Sequence, residues 1–231
     1  MFRPSLGTTL PLAAALGFVL SAALAAQPRE FADAHRTNQA ALRHYSWTSR
    51  TDLRVNGESK QVRLEHVRFD YDGRLQKTTI GGGAAVDAAR PGPPGPAGAV
   101  RKRVTARKKE ALRDMLADLA ALAESYAHVP PDRLQAFAAR AVLTPEDAAT
   151  LRIQGHGLLE AGDQMTAWVD RERLVMRRIE ITTTYDGTRV RIRADYRTTD
   201  TGLTYQARAT LDYPAAGVEV VVDTFDYLPA R

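Results

Sequence analysis

Cysteine is absent from this chain of 231 residues. That excludes disulfides, a thiolate nucleophile, thiolate metal ligands and a lipobox cysteine that could carry a lipid. The fold must be held by its core alone. Lysine is scarce, so nearly all of the positive charge is arginine, and the formal net charge is only +5. GC-rich coding produces the same arginine bias, and no nucleic-acid partner is expected from it. The histidines are scattered at His35, His44, His66, His128 and His156, with no metal-pair spacing among them. No His-Glu-x-x-His segment, nucleophile elbow or EF-hand loop is present. The sequence therefore assigns no catalytic residue, no metal ligand and no cofactor, and the expectation is a protein that is not an enzyme. Asp70-Tyr71-Asp72 and the run from Asp223 to Asp226 bring carboxylates close, but strand ends and turns routinely do that.

Long apolar runs are missing everywhere except at the start. Arg3 precedes an apolar stretch from Leu10 to Leu24, and Ala23-Leu24-Ala25 is a small-x-small cleavage site. These features predict a secretory signal over 1–25. The run is too short and too alanine-rich to span a membrane comfortably. The mature chain, 26–231, is thus expected to be periplasmic or secreted and not membrane-spanning. Its length suits one domain with one sizeable core.

What the chain does have is alternation. From about Thr150 to Leu228 it reads as a meander of about six antiparallel strands with one apolar face. Ile179, Ile181, Thr183 and Tyr185 alternate with Glu180, Thr182 and Thr184. After the Asp186-Gly187 turn, Val190, Ile192, Ala194 and Tyr196 alternate with an arginine-bearing face. That face could meet anionic lipid, but a solvated sheet face needs no partner. Strands are also predicted at Thr150–Leu159, Gln164–Asp170, Leu203–Tyr213 and Val218–Leu228. The His-bearing Gly155-His156-Gly157 segment suggests a bulge.

Upstream, Arg29 to Tyr45 has helical spacing, and Ser46 to Val55 is a strand with Trp47, Ser49, Thr51, Leu53 and Val55 on one side. Asn56-Gly57 is the strongest hairpin signal in the chain. In the return strand the apolar positions switch from Val62 and Leu64 to Val67 and Phe69, which suggests a bulge near Glu65-His66. A third strand is predicted over Arg74–Ile80. The Gly/Pro-rich segment at 81–100 is expected to be a flexible loop. Arg101 to Tyr126 reads as a helix whose apolar stripe is Leu112, Met115, Leu116, Leu119, Leu122 and Tyr126. Its basic start fits either an anionic partner or a solvated helix end. Pro130-Pro131-Asp132 opens a further helix with Leu134, Phe137, Ala138, Ala141 and Val142 as its apolar face, and Thr144-Pro145-Glu146-Asp147 a turn or helix start.

The fold class is therefore α+β: an antiparallel sheet of about eight to eleven strands with helices on its apolar face. That order of elements resembles the LolA/LolB-like fold of periplasmic lipoprotein carriers and outer-membrane lipoprotein receptors. The resemblance implies a curved sheet forming an incomplete barrel, with helices covering the concave face over an apolar cavity, and it transfers no functional residues. The chain is also similar to a family of uncharacterised secreted bacterial proteins. Asn38-Gln39-Ala40-Ala41-Leu42, Tyr45-Ser46-Trp47, Val67 to Thr78 and Phe225-Asp226-Tyr227 carry that likeness.

Large aromatics on predicted inner positions are the candidate ligand-binding residues: Trp47, Phe69, Trp168, Tyr185, Tyr196 and Tyr205. Ordinary core packing is the alternative for each. The expected function is that of a non-catalytic carrier or binding protein for a lipid, acyl chain or lipoprotein. The alternative is a structural or interaction protein of the cell envelope on the same scaffold.

Overall fold

A computed structural model describes residues 37–84, 96–127, 129–130, 133, 136–137 and 139–230. The signal expected over 1–25, the start of the first predicted helix and the proline-rich stretch at 85–95 lie outside them. Residues 37–42 are helical (α1). Three strands follow, β1 (Tyr45–Val55), β2 (Glu58–Phe69) and β3 (Leu75–Ala84), then the long helix α2 (Pro96–Ala127). The remaining strands are β4 (Val142–Pro145), β5 (Thr150–His156), β6 (Gln164–Asp170), β7 (Met176–Tyr185), β8 (Thr188–Thr198), β9 (Thr204–Tyr213) and β10 (Val218–Pro229). All belong to one antiparallel sheet in the order β3-β2-β1-β10-β9-β8-β7-β6-β5-β4. β3 and β4 are its edges, so the sheet is not closed into a barrel. All neighbours are consecutive in the chain except β1 and β10, whose pairing from Val55↔Val218 to Tyr45↔Pro229 joins the first three strands to the later meander.

Local chemistry explains the tight hairpins. Asn56 and Gly57 (φ 52° and 80°) and Asp186 and Gly187 (φ 49° and 69°) occupy left-handed backbone. That twist matches the flanking strands, and these residue types adopt it at least cost.

Alternation then divides the sheet into two faces. The inner face of the meander carries Ile153, Met165, Ala167, Ile179, Ile181, Val190, Ile192, Ala209, Leu211 and Val220, all buried in one cluster. Leu119, Ala123 and Tyr126 of α2 belong to the same cluster, as do Val129 and Phe137. Each fully buried Leu, Ile or Phe contributes roughly 1.5–3 kcal/mol by leaving water. Leu112, Met115, Leu116 and Leu122 pack half-buried against it, so the apolar stripe expected of this helix is the one it uses.

A polar chain runs through this core. Tyr126 donates to Thr183 Oγ1 (2.7 Å), and Thr183 donates to Asp163 Oδ1 (2.7 Å). Asp163, 1 % exposed, also accepts the backbone N–H groups of Leu159 and Glu160 on Oδ2. Desolvation raises the Tyr126 pKa, so it remains a donor at neutral pH. Nearer the middle of α2, the Tyr185 hydroxyl donates to Asp118 (2.8 Å), and that carboxylate pushes the Tyr185 pKa up to about 12.

The outer face is a lattice of ion pairs. Asp195 accepts from Arg178 Nε (2.7 Å) and Arg193 Nε (2.8 Å). Arg191 meets Asp212 at 2.6 Å, and Arg54 bridges Asp52 (3.1 Å) and Glu219 (3.0 Å). Burial pulls the Asp195 pKa upward, but hydrogen bonds from Arg193 and Arg178 outweigh it and the pKa lies below the ordinary value. Asp52 behaves alike, with burial opposed by Ser59 and Arg54.

Several elements differ from expectation. β3 runs past Ile80 to Ala84, and α2 begins at Pro96, before the expected Arg101. Proline is well placed in the first turn of a helix, where its missing N–H is not needed. Val142 lies on an edge strand, 62 % exposed, and not on the apolar face of a helix. Val142–Pro145 pairs with β5 where a turn or helix start was expected, and Pro145 is tolerated because it ends an edge strand. Gly155 forms no bulge: β5 and β6 keep register through Gly155↔Met165 and His156↔Gln164. It is needed for space, because a Cβ there would sit 2.5 Å from the Phe137 ring. The irregularity expected at Glu65-His66 lies in the partner strand, where Ile80 is skipped between Leu64↔Gly81 and Glu65↔Thr79. β2 itself stays in register with β1 there, so Glu65 remains on the inner face.

Two outcomes are expected. Gly155→Ala lowers stability by about 1–3 kcal/mol through overpacking against Phe137. Gly162→Ala, which meets nothing within 4 Å, changes it little. Denaturant midpoints of the two variants check this. Because the folded pKa of Asp195 is depressed, its contribution is complete above the unfolded value of about 3.9 and is lost as pH falls through the folded value. Asp195→Asn should therefore flatten the loss of stability below about pH 4. An acid-unfolding profile with the wild-type slope would count against the role given to this ion pair.

Candidate functional site

The aromatic side chains expected to line a site divide into three groups. Trp47 follows from the inner-face pattern of β1, and its pairing with Val67 places Phe69 beside it, with ring centroids 5.8 Å apart. Two bulges bring further rings. Opposite Trp47, β10 contains one extra residue, because Thr48 pairs with Phe225 but Ser46 pairs with Leu228. Asp226 takes a positive φ of 56° at this point. Such a bulge re-aims the next side chain, and the Tyr227 ring stacks on Trp47 at 5.3 Å with 10° between planes. In β9, Ala207 is the extra residue between Asp195↔Arg208 and Tyr196↔Gln206. The Tyr205 ring beyond it lies 4.1 Å from that of Tyr227. Trp47, Phe69 and Tyr205 are thus brought together, with Tyr227 as a fourth member.

Tyr227 was missed by the sequence reading. Plain alternation from Val218 puts it on the outer face, and only the bulge reverses that. Its one trace in the sequence is the Phe225-Asp226-Tyr227 stretch. The Tyr227 hydroxyl donates to Thr224 Oγ1 (3.1 Å), and Thr224 in turn donates to the backbone oxygen of Gln206. Desolvation raises the Tyr227 pKa, with Thr224 opposing. α1 is fastened beside this cluster. Asn38 both donates to the Thr204 carbonyl and accepts from the Thr204 N–H, each at 2.7 Å.

The other candidates lie elsewhere. Tyr196 is on the inner face against the main core, its hydroxyl buried, and desolvation raises its pKa. Tyr185 packs edge-on to Tyr213 at 5.5 Å and is occupied by Asp118. Trp168 faces the opposite way, because Met165, Ala167 and Val169 take the inner positions of β6. Its Nε1 donates to Glu146 (3.2 Å), and Arg178 stands over its ring at 5.7 Å. A shared cavity for all of them is not what this arrangement provides.

The inner face next to the cluster is polar. Register sets Lys77, Val67 and Trp47 in one row and Thr79, Glu65 and Ser49 in the next, with Arg63 beside Thr51 beyond them. Glu65 is 5 % exposed, and Arg63 approaches it at 3.8 Å. Desolvation lowers the Lys77 pKa, opposed by the charges of Glu65 and Glu124 and reinforced by Arg63. Aromatic and charged surfaces therefore adjoin on one side of β1–β3.

Two buried donors stand out. Trp47 is 2 % exposed, and among the described residues neither its Nε1 nor the Tyr196 hydroxyl has a hydrogen-bond partner. On the outer face, a half-open pocket of about 590 Å³ is lined by Ser46, His66, Arg68, Leu228, Pro229 and Ala230, none of them among the expected aromatics. Among the described residues there is no metal-binding cluster of His, Cys, Asp and Glu, and no helix is long and apolar enough to cross a membrane.

No protein-family model matches the chain, and no curated protein does. Among solved structures, it is similar to a DUF1329 family protein from Desulfovibrio piger, with 11% identity, a TM-score of 0.40 and coverage of 85% of this chain and 90% of that one. It is also similar to a LolA superfamily protein from Nitrosomonas europaea, with 10% identity, a TM-score of 0.38 and coverage of 84% of this chain and 91% of that one.

Proposed function

We propose that the protein is a periplasmic, non-catalytic carrier or binding protein for a lipid, an acyl chain or a lipoprotein. In this reading the strand layer bends so that its inner face is concave, and α2 with the chain around Phe137 covers it. The ligand lies at the Trp47, Phe69, Tyr205 and Tyr227 end, with Tyr196 farther along the same face. Trp168 and Tyr185 take no part.

The observation that carries this reading is the buried Trp47 Nε1–H, which has no acceptor among the described residues and is set among stacked rings. A buried indole N–H normally has a partner. Leaving such a donor unmade costs about 1–3 kcal/mol. An ester or amide carbonyl of a bound lipid supplies the acceptor while its chain covers the rings. Burial of the chain contributes roughly 25 cal/mol per Å² of apolar area. The adjoining Lys77, Glu65 and Arg63 give a polar head somewhere to lie, so the site suits an amphiphile better than a plain hydrocarbon. Binding of this kind shields apolar surface from water and needs no reaction.

The direct test is extraction of the purified protein followed by mass spectrometry of bound lipids. Trp47→Phe keeps a ring in the cluster and removes the N–H. It is expected to weaken binding of a fluorescent-acyl phosphatidylethanolamine about tenfold, some 1.4 kcal/mol, with an unchanged or raised unfolding midpoint. Equal affinity in the two proteins, together with no extractable lipid, would sink the proposal.

A further inference from the structure

The outer face at the end of β1, β2 and β10 carries a second arrangement that the aromatic cluster does not use. Thr48 stands between His66 on one side and Phe225 on the other, and Ser46 between Arg68 and Leu228. Two nitrogen-bearing side chains thus flank β1 on the β2 side, and two apolar ones flank it on the β10 side. The half-open pocket of about 590 Å³ lies here, lined by Ser46, His66, Arg68, Leu228, Pro229 and Ala230. That volume falls in the range of small-molecule sites, about 300–1,000 Å³.

Both halves of the pocket have unmet demands. On the apolar side, Leu228 is 62 % exposed. Several other arginines on this face are neutralised: Arg54 by Asp52 and Glu219, Arg178 and Arg193 by Asp195, and Arg191 by Asp212. Among the described residues, neither Arg68 nor His66 has a carboxylate partner. Asp70, the next residue on that side of β2, is occupied. It accepts the backbone N–H groups of Arg74 (2.8 Å) and Asp72 (3.0 Å) and the Gln76 amide (3.1 Å).

We propose that this pocket binds a small amphiphilic anion, a carboxylate or phosphate head on a short alkyl chain. The Arg68 guanidinium presents a planar fork of N–H donors to the anionic oxygens. His66 and the Ser46 hydroxyl add single hydrogen bonds. Leu228 and Pro229 take the alkyl part out of water. The site is separate from the inner aromatic cluster, since Ser46, His66 and Arg68 alternate along their strands with Trp47 and Val67.

Titration of the purified protein with octanoate, octyl phosphate, inorganic phosphate and octanol, followed by calorimetry, tests this. Octanoate or octyl phosphate should bind at least tenfold more tightly than octanol and than inorganic phosphate. Preference for octanoate identifies a free carboxylate as the ligand, and preference for octyl phosphate identifies a phosphate head. Arg68→Ala, a change at an exposed position, should weaken the preferred anion about tenfold, and Arg68→Lys should restore part of it. Leu228→Ser should weaken the alkyl anions and leave inorganic phosphate unchanged. Trp47→Phe should leave all four affinities as they are, which separates this site from the lipid site. Octanol binding as tightly as octanoate, or an Arg68→Ala protein with wild-type affinity for both anions, overturns the proposal.

Discussion

The hydrogen-bond chain from Tyr126 through Thr183 to Asp163 is the constraint on which the rest of the arrangement depends. It ties the end of α2 to β7 and to the turn before β6. Apolar contacts alone are non-directional and would tolerate sliding of a helix along a sheet. A buried, fully satisfied polar chain does not, because displacement leaves at least one donor or acceptor without a partner. With Tyr126 placed, the remaining stripe positions of α2 follow at helical spacing, and Asp118 reaches Tyr185. The helix is thereby committed to the core formed with the meander strands.

That commitment gives the inner face two characters. On the meander it is filled by branched aliphatic side chains and the helix. On β1–β3 it carries Ser49, Glu65, Arg63 and Lys77 in neighbouring rows. The boundary between them falls at β1 and β10, and the aromatic cluster stands there. Trp47 and Tyr227 occupy the seam where the first strand of the sheet meets the last. A site that adjoins a filled core on one side and charged groups on the other suits a molecule with two unlike ends.

Two of the bulges in the sheet lie beside this seam. The extra residues in β9 and β10 bend the strands locally. One result is that Tyr205 and Tyr227 meet over Trp47. Another is that Leu228 is turned to the outer surface beside Arg68. The inner cluster and the outer pocket thus share one geometric origin.

Period-two alternation, the Asn56-Gly57 and Asp186-Gly187 turns and the helical stripe of α2 were all legible in the sequence, because each is set by neighbours a few residues apart. They determined the strands of the meander, the first hairpin and which face would be apolar. Trp168 could not be placed so simply: its outward direction follows from Met165, Ala167 and Val169 facing the core, which pairing with β5 and β7 decides. Tyr227 and Gly155 were misjudged for the same reason. A bulge is defined by the partner strand, and the space beside a glycine is defined by whatever packs there, in this case Phe137. Local sequence determined the elements and their faces. Only the tertiary structure decided that β1 pairs with β10, and with it which aromatic rings meet, because that contact joins residues at opposite ends of the sheet's chain and no short-range pattern encodes it.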